Sequence, residues 1–187
     1  SQRGVLTLAH SRHDLDAQSR WANAMRCNGI DAEMLDAAQV RALEPRLNTG
    51  PRARHPILGG FIQPRAGSAR HDAVAWGNAR AASALGVDIV QNCEVVALCR
   101  SADRMAGVRV RWRGRELDID APQVALVAAG HSSVLAAMAG LRLPVTSYAL
   151  QAMVTEPVKP VLRSVTLSPA LGSYWSQSDK GEVVIGG

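Results

Sequence analysis

The sequence has little lysine, few aromatic residues and no long apolar run. Only Lys159 and Lys180 are lysines, so nearly all of the 21 basic side chains are arginines, against 16 acidic ones. No apolar run approaches the roughly 18 residues that cross a membrane, and no signal peptide opens the chain, so we expect no membrane segment. The three cysteines match no zinc spacing, so we expect no metal site and a reducing, cytoplasmic compartment. Cys93 and Cys99 lie in or beside a strand-like run, which predicts buried thiols.

The net positive charge of +5 is spread along the chain. Its one dense stretch, RVRWRGR at 109–115, alternates arginine with apolar residues, as the solvated face of a strand does. A nucleic-acid binder needs a clustered basic face and a strongly salt-dependent interaction. We therefore expect no nucleic-acid partner, and arginine suits cofactor phosphates or an acidic partner surface equally well.

The composition is that of an ordinary globular protein, with 47% hydrophobic and 20% charged residues. A length of 187 residues allows one large domain or two small ones. The chain starts in a strand-like stretch and stops at the strand-like EVVIGG. We interpret it as a piece of a longer protein.

Hydrophobic periodicity and turn residues predict alternating strands and helices. We predict four helices. The first follows a cap at Asp14 or Asp16 and ends at Gly29, and the second covers DAEMLDAAQVRALEP. The third runs from a Ser68 cap to Gly86, and the fourth follows Ser132 or Ser133. The predicted strands include VLTLA, ILGGFIQPRAG, VDIVQN, CEVVALC, a ribbon turning at Arg113–Gly114, APQVALVAAG, the proline-bordered LRLPVTSYALQAMVTEP and VLRSVTLSP, and a hairpin turning at Asp179–Gly181.

The order of these elements predicts a mixed α/β fold. Strands and helices alternate between Ser68 and Gly140, which favours an α/β layer with a parallel sheet, whereas the flanking regions read as antiparallel. We expect a strand and helix segment at 1–67, an α/β segment at 68–143 and antiparallel strands at 144–187.

Few catalytic motifs are present. The sequence has no GxGxxG, Walker, HExxH or GxSxG pattern. The segment VALVAAGHSS joins an apolar strand to a helix through small residues, which is typical of a dinucleotide contact and equally of tight helix–strand packing. His71 in GSARHDAVAWG lies where a helix begins, and an exposed surface histidine is the alternative to a binding role.

Four segments in order carry a resemblance to a known family: ARHDAVAWGNARAASALGVDIVQNCEV, VALVAAGHSSVLAAMAGLRLPV, LQAMVTEPVKPV and SQSDKGEVVIGG. Together they resemble the β subunits of heterotetrameric sarcosine oxidases, in the amine-oxidising branch of the FAD-dependent D-amino-acid-oxidase-like family. The resemblance covers nearly the whole chain. It implies a fragment of an FAD-dependent oxidoreductase, with part of the flavin-binding α/β layer and an antiparallel sheet of the substrate domain.

The resemblance also implies cofactors, a reaction and partners. The family binds FAD noncovalently, and its heterotetrameric enzymes carry FMN covalently on a histidine of the β subunit. They oxidise the N-methyl group of sarcosine to give glycine, with hydrogen peroxide formed from O₂. The one-carbon unit is released as formaldehyde or passed to tetrahydrofolate. Other subunits and a small secondary amine are thus the implied partners.

Site residues follow from the same resemblance. His71 matches the histidine that bears FMN, and Arg70 beside it could balance flavin charge. Val95 in NCEVVAL matches a backbone contact to the adenine of FAD, and Ala129 and Gly130 match a second contact with the dinucleotide. No catalytic residue is assigned, and Lys180 reads better as a solvated hairpin lysine than as an oxygen-activating one.

The sequence also departs from the family pattern. It has no match to the strand, glycine-rich loop and helix that hold the FAD pyrophosphate, to the acidic ribose-binding residue, or to the C-terminal third of the family subunit. We therefore expect the chain by itself to bind FAD weakly, or to bind neither flavin. A non-catalytic module that binds a partner is the alternative function, and visible flavin absorbance separates the two.

Overall fold

The computed structural model describes residues 1–187, which form two compact units. The first unit comprises residues 1–71 and 150–187, and the second, here called the middle unit, comprises residues 72–149. The sequence-based boundaries lie after residues 67 and 143. The roles that we predicted for the three segments remain predictions.

Ten strands and four α-helices make up the two units. The strands are β1 (Val5–Ala9), β2 (Glu33–Asp36), β3 (Gly59–Gln63), β4 (Cys93–Ser101), β5 (Arg104–Trp112), β6 (Arg115–Asp120), β7 (Ala152–Val154), β8 (Val165–Ser168), β9 (Ser173–Gln177) and β10 (Val183–Gly186). The helices are α1 (Arg12–Cys27), α2 (Ala37–Leu43), α3 (His71–Ala84) and α4 (Ser132–Met138).

A seven-stranded sheet forms the first unit, in the order β2-β3-β1-β8-β9-β10-β7. Strand β1 pairs in parallel with β8, and every other pairing is antiparallel. Alternation along β1 sends Leu6 and Leu8 to a core with Val40 of α2 and Ile57. Phe61 of β3 packs instead with Ala22 of α1. Both faces of the sheet around β1 are thus covered.

Local capping fixes the first two helices. The Ser11 hydroxyl accepts a hydrogen bond from the Asp14 N–H at 3.1 Å, and the Asp14 carboxylate accepts one from the Ser11 N–H at 2.9 Å. This reciprocal pair is a capping box at the start of α1. The predicted cap at Asp14 or Asp16 is therefore wrong by a few residues. The prediction of one helix across 31–45 is also wrong, because β2 pairs with β3 before Asp36 caps α2.

The middle unit contains an antiparallel sheet in the order β4-β5-β6. The predicted turn at Arg113–Gly114 is confirmed, and both residues have positive φ, at 50° and 75°. The predicted strands at 87–92 and in 121–130 are wrong, since neither stretch pairs with another strand. The parallel sheet expected in this region is likewise not formed within residues 72–149.

Candidate functional site

Arg70 and His71 lie where α3 begins. His71 is the first residue of that helix, its side chain is exposed, and its ring makes no hydrogen bond to the protein. Ser68, the predicted cap, lies three residues earlier, and its N–H and C=O bond to Ser1. The imidazole is therefore open to a ligand, although the helix starts later than the Ser68 cap implied.

The helix start gives His71 a defined electrostatic setting. The first N–H groups of an α-helix have no partner within the helix and carry its positive dipole end, which favours nearby anions. Asp72 lies in the same turn and offsets part of this field. The exposed ring at the helix start is therefore accessible to a ligand that carries negative charge.

Ala129 and Gly130 form a turn before α4. Ala129 has a φ of 44°, which is unusual for a residue with a side chain, and both residues are exposed. Ser147 donates its hydroxyl to the Gly130 carbonyl at 2.7 Å. A Cβ on Gly130 would lie 3.7 Å from the Ser147 hydroxyl, an ordinary contact, so the described fold alone does not require glycine there. The turn is exposed and Gly130 has no side chain, so a ligand could approach the backbone closely here.

Val95 lies in β4 opposite Val110 of β5 and is partly buried. The ladder shifts register between Val95 and Ala97, which indicates a bulge that frees backbone groups from pairing. No hydrogen bond joins Val95 to Ala129 or Gly130. The three residues share the middle unit, whereas Arg70 and His71 belong to the first unit.

A cavity of about 300 Å³ in the first unit lies beside the α1 face of the sheet. Trp21, Phe61 and Tyr174 line it, and the first two rings meet edge to face with centroids 5.9 Å apart. None of the lining residues is charged. The cavity therefore offers no counter-ion to an amino acid, and no catalytic residue is assigned from it. Lys180 is exposed in the hairpin turn, where its N–H bonds to Ser178.

Two buried polar side chains escaped the sequence analysis. Glu44 joins the end of α2 to the segment before β8, accepting N–H groups of Arg163 and Ser164. Gln177 accepts the Val161 N–H and donates to the Gly181 carbonyl. Glu44 lies about 120 residues from its partners and Gln177 lies 16 residues from Val161, so no local sequence pattern could have revealed these bonds. Both hold the sheet together and do not face a described cavity.

A family model described as "FAD dependent oxidoreductase" matches residues 1–187. The chain belongs to the FAD-dependent oxidoreductase family. The chain is 52% identical over 187 residues to sarcosine oxidase subunit beta of Rhizobium meliloti, and 47% identical over 186 residues to that of an Arthrobacter species. Each match covers the whole of this chain but only 44% of the Rhizobium meliloti subunit and 45% of the Arthrobacter subunit. The chain thus spans less than half the length of these relatives.

Two solved structures share the fold of this chain. L-proline dehydrogenase from P. horikoshii superposes with a TM-score of 0.82 over 99% of this chain and 48% of its own, at 18% identity. Glycine oxidase from Geobacillus kaustophilus gives 0.72 at 19% identity. The predicted mixed α/β fold of an FAD-dependent oxidoreductase fragment is confirmed.

The structure also bears on membrane and metal sites. No helix combines the length and the apolar character that a membrane crossing requires. No group of three or more His, Cys, Asp or Glu side chains is placed to hold a metal ion.

Proposed function

We propose that this chain is part of a flavoprotein that oxidises the N-methyl group of sarcosine, as a segment of a sarcosine oxidase β subunit. Sarcosine, O₂ and water give glycine, formaldehyde and hydrogen peroxide. The observation that supports this most is the 52% identity to the Rhizobium meliloti subunit across all 187 residues. The other subunits of such an enzyme are the proposed partners, with tetrahydrofolate as an acceptor of the one-carbon unit.

The proposed contacts to FAD are Val95, Ala129 and Gly130. The exposed turn at Ala129–Gly130 supports this, because its backbone is open and Gly130 has no side chain to hold a ligand away. The partly buried backbone of Val95 beside a bulge supports the adenine contact. When bound, FAD supplies the acceptor for the hydride that leaves the N-methyl carbon.

The proposed attachment point of FMN is His71. An exposed imidazole with no hydrogen bond to the protein, at the first residue of a 14-residue helix, supports this role. The free N–H groups at the helix start favour an anionic group beside the ring, such as the phosphate of FMN. Arg70 is adjacent in sequence and is proposed to balance negative charge on the flavin.

A chimaera tests the proposal, because this chain spans less than half of its relatives. In it, the chain replaces the matching region of the Rhizobium meliloti subunit, and the product is made together with that enzyme's other subunits. We expect sarcosine to bleach the flavin absorbance without oxygen and to give peroxide with oxygen. A flavin-free product that leaves sarcosine unchanged would refute the proposal and favour a non-catalytic binding module.

Gly130→Ala in the chimaera tests the FAD contact. The added methyl group fits the described fold but intrudes on a ligand at the turn, so we expect FAD affinity to fall about tenfold, or ~1.4 kcal/mol. Gly77→Ala in α3 is the control, since its Cβ meets nothing within 4 Å. Equal FAD affinity in both variants would remove Gly130 from the site.

A further inference from the structure

The dense basic stretch at 109–115 is largely neutralised in the folded chain. Arg109 of β5 donates two hydrogen bonds, of 2.7 and 3.0 Å, to the carboxylate of Asp118 in β6. Arg111 lies 3.0 Å from the Glu94 carboxylate of β4. Because these arginines face carboxylates of their own sheet, they leave little net positive field for an outside partner.

The uncompensated positive charge lies instead in the first unit, in segment 41–56. This segment contains one acidic residue, Glu44, and four arginines: Arg41, Arg46, Arg52 and Arg54. It therefore carries more than half of the chain's net charge of +5. All four arginine side chains are exposed, and none of their guanidinium groups forms an ion pair or a hydrogen bond.

Glu44 does not offset this charge at the surface. It is buried, and its Oε1 accepts the N–H groups of Arg163 and Ser164. The same junction adds a fifth arginine, because the exposed Arg163 guanidinium donates to the Ala42 carbonyl at 3.2 Å. We call Arg163 and the four arginines of segment 41–56 the basic patch.

Helix stabilisation accounts for only part of the basic patch. Arg41 lies in the last turn of α2, and Arg163 contacts a carbonyl there, so both complement the negative end of the helix dipole. The other three arginines lie in the loop that follows α2, where their side chains make no hydrogen bond. Like charges on one loop repel each other, and an anionic partner removes that cost.

Nucleic acid, a membrane and an acidic polypeptide are the classes of anionic partner that an arginine-rich surface can bind. Segment 41–56 has no tryptophan, tyrosine or phenylalanine on which a base could stack, which disfavours single-stranded nucleic acid. None of its large apolar side chains is exposed for insertion into a membrane. Arginine pairs with carboxylates through two parallel hydrogen bonds, so the patch suits an acidic polypeptide best.

We propose that the basic patch binds an acidic surface on another subunit of the sarcosine oxidase proposed above. The inference rests on that proposed function for the identity of the partner. Charge pairing at such a contact accelerates association and fixes the orientation of the two subunits, and it weakens as the salt concentration rises.

Charge reversal in the chimaera tests the proposal. The tagged chimaera is produced with the other Rhizobium meliloti subunits, and the amount that it retains after dilution is quantified. At about 0.1 M salt, we expect Arg52→Glu and Arg54→Glu each to lower retention about tenfold, and the effect should largely vanish at about 1 M salt. Arg20→Glu is the matched control and should retain the subunits, since Arg20 of α1 is also exposed and forms no ion pair.

Equal retention by all three variants would overturn the proposal, and so would an unaltered chimaera that retains no other subunit. The rest of the chimaera's own chain would be the occupant if, without partner subunits, Arg54→Glu lowered its melting temperature and Arg20→Glu did not. Nucleic acid would be the occupant if nuclease-sensitive material copurified and only the patch variants lost it. Either result would also overturn the proposal.

Sarcosine turnover separates this inference from the proposed function. An unaltered chimaera that binds the other subunits through the patch but leaves sarcosine unchanged would refute the proposed function and support the interface. An active chimaera whose subunit retention ignores both patch variants would refute the interface alone.

Discussion

Replacing Glu44 gives the sharpest prediction about stability. Glu44 is 1% exposed, and its Oε1 accepts three hydrogen bonds, from the Arg163 N–H at 2.9 Å, the Ser164 N–H at 2.5 Å and the Ser164 hydroxyl at 2.7 Å. These bonds join positions about 120 residues apart in sequence. Glu44 therefore fixes the segment that leads into β8 against the end of α2.

The expected magnitude follows from the partners that lose their acceptor. In Glu44→Ala, the buried Ser164 N–H loses its acceptor at a cost of about 1–3 kcal/mol, and the lost side-chain volume adds about 1–2 kcal/mol. We expect a total loss of about 2–5 kcal/mol in the free energy of unfolding. Glu44→Gln keeps the Oε1 acceptor but buries an amide where Oε2 has no hydrogen-bond partner, so its loss should be about 1–2 kcal/mol.

Urea unfolding followed by tryptophan fluorescence measures this loss. Replacing Trp76 and Trp112 of the middle unit by phenylalanine leaves Trp21 and Trp175 as reporters of the first unit. With a slope of about 2 kcal/mol per molar urea, Glu44→Ala should lower the midpoint of unfolding by about 1–2.5 M. A loss below about 1 kcal/mol, or a Gln variant no more stable than the Ala variant, would refute the reasoning.

Two further predictions concern the first unit and α3. Gly60→Ala should destabilise the chain by more than about 3 kcal/mol, because the added Cβ would lie 2.3 Å from the Thr7 carbonyl oxygen. Gly77→Ala should instead stabilise α3 by up to about 1 kcal/mol, because alanine favours a helix more than glycine does. Thermal unfolding of the two variants measures both effects. The His10 N–H lowers the pKa of Asp14. Asp14 therefore stabilises the fold above pH 3.8, and Asp14→Asn should lose this advantage at neutral pH and converge with the unaltered chain in acid; equal differences in melting temperature at both pH values would contradict this.

Local sequence patterns correctly predicted several strands and hairpins of the fold. VLTLA became β1 as predicted, and alternation around Arg113–Gly114 predicted the β5–β6 ribbon. The hairpin of β9 and β10 was also evident from its turn residues. In each case the pattern of apolar residues and the turn lie close together in sequence.

Elements that depend on distant partners were predicted poorly. VDIVQN and VALVA have strand composition, but residues 72–149 provide no neighbouring strand for them. EMLD was assigned to a helix, although its pairing with β3 makes it a strand. The candidate site shows the same limit: His71 and Gly130 were predicted from the family resemblance, whereas the exposure of both became evident only in the structure.

The most direct test of the account is the intact mass of the chimaera, purified with its partner subunits and measured under denaturing conditions. We predict the added mass of one FMN, retained in His13→Ala and absent in His71→Ala. His13 is a matched control, because it is also an exposed histidine in the first turn of a helix. An unaltered chimaera without the added mass, or a His71→Ala variant that keeps it, would contradict the account.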